Sequence, residues 1–166
     1  MTHPADDIRH LRGQVIHAWR VHNRINVELL RAIPAAGFAA VPSGSRGRTV
    51  GDQFLHMQKV RLGWLHYHRT GRRPRLPKVR SLPGRAVLRS AFRESGRAVE
   101  DFLRQALEGH GRTRAFTGEP VRWMSYLISH ESHHRGQILI ALKQQGFRLP
   151  EGTALTGLWG AWIWGA

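Results

Sequence analysis

The chain has 166 residues, a formal net charge of +15 and no cysteine. That length suits one domain with a single core, and the missing thiol excludes disulfide scaffolds, zinc ribbons and cysteine nucleophiles, leaving histidine and carboxylate as metal ligands. All but Lys59, Lys78 and Lys143 of the 26 basic residues are arginine, dispersed along the chain instead of gathered in one stripe, so charge alone names no partner.

The N-terminal stretch shows neither the basic nor the apolar region of a signal peptide, and no apolar run approaches the ~18 residues of a membrane span, so the chain reads as cytoplasmic with no membrane partner. Helical periodicity dominates. A first helix is predicted over about residues 5–33, with Asp6 and Asp7 at its positive end and Pro34 stopping it. Residues 34–48 form a loop rich in Pro, Gly and Ser. Thr49 and Asp52 form a capping box with Asp in place of Glu, which starts a second helix running to about Arg69. Its apolar face is Val50, Phe54, Met57, Val60, Trp64 and Leu65.

Residues 70–84 contain Pro74, Pro77 and Pro83 among arginines and predict an extended basic connection. A third helix follows over about residues 85–108, with Val87, Leu88, Phe92, Phe102 and Leu103 among its apolar positions and Gly109 and Gly111 at its end. Pro120 fits the first turn of a fourth helix that ends at Gly146 and Pro150. Residues 151–166 are a Trp/Gly-rich tail whose tryptophans either cap the bundle or contact a partner subunit, the cap being the more economical arrangement. Residues 1–166 thus predict one all-α domain, an up-and-down four-helix bundle. A homodimer is expected from the apolar tail.

The fourth helix carries the chemistry. Trp123, Met124, Leu127, Ile138, Ala141 and Leu142 fill one arc, and His130 and His134 lie in its middle. A lone histidine on such a face is ordinarily bonded to a carbonyl, whereas two imidazoles at i and i+4 point the same way and suit one shared ion. The remaining ligands must come from elsewhere. On the second helix His56 lies beside the apolar arc, in register with Gln53, Val60 and Gly63, while His66 and His68 lie near the helix end; His56 is the inward candidate. Gly63 on its row predicts close approach of the second and fourth helices. His10, His17 and His22 lack the i,i+4 relation and read as surface or satisfied histidines.

The run His130-Glu131-Ser132-His133-His134-Arg135-Gly136-Gln137, with the upstream Phe54-Leu55-His56-Met57, resembles the DinB/YfiT-like family of metalloenzymes over most of the chain. The resemblance implies a four-helix bundle with a three-histidine metal site, and so the ligand role for His56, His130 and His134. It further implies a metal-dependent transferase acting with a low-molecular-weight thiol on an electrophilic substrate; imidazole ligands suit a divalent metal, zinc or nickel. Arginines near the site mouth would bind carboxylates of that thiol. Gln53, His133 and Gln137 are expected to support the ligands. The reacting species would be water or thiolate on the metal, with Glu131 a candidate catalytic group, although its i,i+4 spacing to Arg135 also predicts a simple ion pair.

Two other functions fit parts of the chain. His-Glu-x-x-His is the zinc-hydrolase pattern, with Glu131 as general base, but after His134 the nearest carboxylate is Glu151, and no strand is predicted to hold a peptide. A stress-related or DNA-associated binding protein with a structural metal draws on the basic connection from Arg69 to Arg85, which lacks an aromatic residue for base stacking and any DNA-reading motif.

Overall fold

The computed structural model describes residues 4–44, 46–75 and 81–165. Four long helices build it: α1 (Pro4–Ala32), α2 (Val50–Thr70), α3 (Arg85–Leu107) and α4 (Pro120–Gln144). Short 3-10 turns at Ala35–Ala39 and Phe116–Gly118 precede α2 and α4. The described residues contain no strand, so the expected all-α bundle is the observed fold.

The helix boundaries follow local chemistry. Thr49 caps α2 by accepting the Asp52 backbone N–H, and its hydroxyl donates to the Asp52 carboxylate at 2.7 Å. At the other end Gly71 adopts φ +72°, a left-handed conformation that closes the helix through its N–H to the Tyr67 carbonyl. Pro120 opens α4, where its missing N–H costs nothing. Between α2 and α3 the chain has no regular secondary structure over residues 73–75 and 82–84; residues 76–80 of the predicted basic connection lie outside the described residues.

Cross-helix contacts fix the course of the chain more finely than the sequence pattern does. Arg20 meets Glu100 and Arg85 meets the Ile33 carbonyl, so α1 and α3 are antiparallel. Gln58 meets the Ala91 carbonyl while His68 stacks on Phe102, so α2 and α3 run the same way. Gln53 meets His134 and His68 meets Trp123, so α4 opposes α2. The order is up, down, down, up, so the bundle is not the simple up-and-down alternation expected from the sequence: the 71–84 connection is long enough to serve as the crossover that parallel neighbours require.

The core is divided. One apolar cluster joins Ile25, Leu29, Phe54, Met57, Phe92 and Ile138, and a second joins Trp19, Leu65, Phe102, Leu103, Trp123 and Leu127. Between them lies a polar layer of His22, Asn26, Arg61, Ser95 and Glu131, all buried. Gly96 makes room there: a Cβ on it would lie 2.2 Å from the Asn23 side chain.

The tail is helical. A π-helical stretch, Thr153–Trp159, leads into α5 (Gly160–Ile163), and both pack on α1. Leu158 and Ala161 join the first core cluster, whereas Trp159, Ile163 and Trp164 stay exposed. The tail thus docks on the side of the bundle through its small and aliphatic residues, and most of its tryptophan surface faces outward.

Candidate metal centre

α2 and α4 run antiparallel, so a residue early in α2 meets one late in α4. His56 therefore comes opposite the turn bearing His130 and His134. The Nε2 atoms of His56 and His130 are 3.2 Å apart, as are those of His130 and His134. One ligand nitrogen from each ring lies within 4.8 Å of the other two. Tetrahedral coordination at the usual Zn–N length of ~2.0–2.1 Å places nitrogens about 3.3 Å apart, so the cluster is already near the size a divalent ion needs. The sequence reading brought these three residues together, and the structure does so too.

The surroundings keep the imidazoles neutral and aimed. Gln53 Oε1 accepts from His134 Nδ1–H at 2.8 Å, which leaves the Nε2 lone pair facing the other rings. Burial, followed by the charges of His130, His56, His133 and Arg48, lowers the His134 pKa to about 4. His56 and His130 are lowered too, in each case chiefly by burial. His130 Nδ1 is buried with no hydrogen-bond partner, while its Nε2 faces both other rings. Tyr126, one turn earlier on α4, stacks on His130 with ring centroids 5.7 Å apart and holds its plane. Three neutral nitrogens of this kind could hold a divalent metal, and with His56 and His130 only half-buried the cluster is open to solvent on one side.

Of the expected supporting residues, Gln53 fits. His133 and Gln137 turn to each other on the exposed side of α4, the Gln137 amide meeting His133 Nε2 at 2.9 Å, and the His133 ring packs edge-on against His134 with centroids 5.3 Å apart. Gly63 differs from its expected role as well, because a Cβ there would meet only Pro74, at 3.4 Å, and nothing of α4. The two helices are joined by the histidines and Gln53, by Arg61 bonded to Glu131, and by His68 packed on Trp123.

Glu131 also departs from both sequence readings. Its carboxylate is fully buried and gripped by the Arg61 guanidinium, Nε to Oε1 at 2.6 Å and a terminal nitrogen to Oε2 at 2.7 Å. Asn26 and His22 donate to Oε2 at 2.6 and 2.8 Å. Burial alone would raise its pKa, but the charge and hydrogen bonds of Arg61, joined by His22, hold it well below the usual carboxylate range. A carboxylate so engaged is a poor general base. Its ion-pair partner is Arg61 from α2; Arg135 reaches past it to the side-chain Oδ1 of Asn26, the Ser132 hydroxyl and His22 Nδ1.

His22 completes this layer as a neutral ring, accepting from Arg135 at Nδ1 and donating to Glu131 from Nε2; burial lowers its pKa to about 4. Sequence reasoning placed it correctly among satisfied histidines. Arg61 was missed, although a lone arginine one turn from Met57 and Leu65 on the buried arc was the available signal. Among the other histidines, His10 pairs with Gln14 at the surface and His17 and His66 are exposed.

By class this is an all-α bundle with a three-histidine cluster fit for a divalent ion between its second and fourth helices. The DinB family model matches residues 1–165, and the chain belongs to that family. No curated protein matches the chain.

Proposed function

We propose that the protein is a metal-dependent transferase that joins a low-molecular-weight thiol to an electrophile, with His56, His130 and His134 as the metal ligands. The observation that carries this reading is the convergence of three neutral imidazoles at near-coordination spacing on a half-open face. A divalent ion bound there supplies Lewis acidity that favours the ionised form of a bound thiol or water near neutral pH.

The chain's own residues set the rest. Gln53 fixes the His134 tautomer, and Tyr126 fixes the His130 plane. Arg48 is exposed just ahead of α2, near enough for its charge to depress all three histidines, and so stands where a carboxylate of the thiol would enter. In the overall reaction the thiol loses its proton to solvent, the sulfur lone pair forms the new S–C bond, and the leaving group departs with the electrons of the bond it breaks. The engagement of Glu131 by Arg61 speaks against the hydrolase alternative, which needs that carboxylate free.

The test has two parts. Elemental analysis of purified protein is expected to give about one divalent ion per chain, lost in the triple alanine variant of His56, His130 and His134. The zinc- or nickel-loaded protein, supplied with glutathione or cysteine and 1-chloro-2,4-dinitrobenzene, is then assayed for thioether and chloride above the protein-free rate. Chelation should abolish the gain and metal should restore it. Equal metal content in the triple variant overturns the site; a loaded protein that accelerates no thiol in a panel of such electrophiles overturns the activity.

A further inference from the structure

The groove that holds the histidines does not end at them. Lys59, Val60 and Gly63 follow His56 by three, four and seven residues, and Tyr126 precedes His130 by four, so all face the same seam between α2 and α4. There they border an open-mouthed pocket of about 560 Å³, lined further by Trp64, Tyr67, Arg73, Pro74 and Ala115. This volume falls within the ~300–1,000 Å³ typical of small-molecule sites.

The walls say what would fit. Trp64 is the centre of an aromatic cluster, packing edge-on to Tyr67, Phe116 and Tyr126 at centroid distances of 6.0, 4.8 and 6.1 Å. Tyr126 is shared, lining the pocket while stacking on His130. The charged residues bordering the pocket are Lys59 and Arg73, and neither is paired with a carboxylate among the described residues. Gly63 provides the space, since its missing side chain leaves an open wall whose nearest neighbour is Pro74. Apolar, aromatic walls with two unpaired cations and no acid are complementary to a flat apolar molecule bearing one negative charge.

We propose that this pocket is the electrophile site, and that it selects small aromatic carboxylates whose apolar body lies against Trp64 and Tyr126 while the carboxylate meets Lys59 and Arg73. The assignment of the occupant as the electrophile rests on the thiol-transfer reading; the pocket's preference for an apolar anion does not.

Calorimetric titration with 2-naphthoate and its neutral amide, 2-naphthamide, tests the preference directly in both metal-loaded and chelated protein. The acid is expected to bind at least 5-fold more tightly than the amide, the order of one modest charge-assisted contact. Replacing both cations, Lys59→Met with Arg73→Met, should erase that difference while leaving amide binding in place. Gly63→Leu, or Ala115→Leu from the opposite wall, should weaken both ligands at least 10-fold with helicity and metal content unchanged. Equal affinity for acid and amide, or undiminished binding in both filled variants, overturns the proposal. So does naphthoate binding that vanishes on chelation, since the carboxylate would then be sitting on the ion. Failure of the thiol assay with naphthoate still bound in the pocket would instead count against the reaction alone.

Discussion

At the scale of single residues, the buried layer decides more than the metal ligands do. Arg61 offers both faces of its fork: Nε and one terminal nitrogen to Glu131, the other terminal nitrogen to Asn23, Ser95 and the Phe92 carbonyl, with its plane over Trp19 and Phe92. Removing it leaves a desolvated carboxylate with only His22 and Asn26. Arg61→Met is therefore expected to cost about 3–5 kcal/mol in urea denaturation, and a loss below ~1 kcal/mol would mean the layer is not the anchor it looks to be. Histidine burial adds a pH dependence. His68 accepts the Arg114 N–H at Nδ1 and has no partner for Nε2, and burial, then Arg114, lowers its pKa to about 4, as burial lowers that of His22. The unfolded chain takes up protons near pH 6.5 while the folded chain resists until about 4, so this stability is present in full above pH 6.5 and drains away as pH falls between the two. The ceiling is roughly 3 kcal/mol per group. Urea midpoints measured from pH 7.5 to 4 should fall, and the slope should be shallower in His68→Asn; an unchanged slope in that variant removes His68 from the account.

At the scale of elements, the helices were legible because each carries its own boundary chemistry: Thr49 and Asp52, Gly71, Pro120 and Gly146 act through neighbours within a few residues. Part of the site was legible for a related reason. The His130/His134 spacing is local, and Gln53 lies one turn before His56 on the same row. What escaped depends on which helix lies across the bundle. The row containing Arg61 does not reveal that Glu131 faces it, and so Glu131 was paired with Arg135 by spacing alone; Gly63 was assigned to helix packing when it borders a pocket. The parallel course of α2 and α3 was hidden too, because a connection of that length permits either direction. The tail shows the same limit. Its composition reads as tryptophan, but the residues that dock it are Leu158, Gly160 and Ala161, all buried, while Trp164 is 80% exposed. Leu158→Ala should thus cost about 2–3 kcal/mol through lost burial and a residual cavity, whereas Trp164→Ala should stay within ~0.5 kcal/mol. The reverse order in thermal or urea unfolding would mean that the tryptophans carry the docking.

At the scale of the molecule, the histidine cluster is a clip between two helices whose only sequence-near connections run through α3. In the absence of an ion, a single Nε2–H on His130 can bridge only one of the two 3.2 Å gaps to its neighbours, and the remaining ring nitrogens oppose one another. An ion converts that opposition into cohesion between α2 and α4, and it does so in the folded chain alone, because the three rings are separated by 74 residues in sequence between His56 and His130. Binding that is confined to the folded state stabilises it by an amount fixed by concentration over affinity, about 2.7 kcal/mol at 100 times the dissociation constant. For a chain of this size that is a rise of roughly 5–10 °C in Tm. Chelated protein titrated with zinc or nickel should show it; His56→Ala and His134→Ala should lose it, and Gly63→Leu, outside the cluster, should keep it. With eleven histidines in the chain, nonspecific metal binding is a real competitor. It is distinguished by magnitude in those same variants: a stabilisation as large without His56 or His134 as with them would place the ion elsewhere and dissolve the clip between α2 and α4.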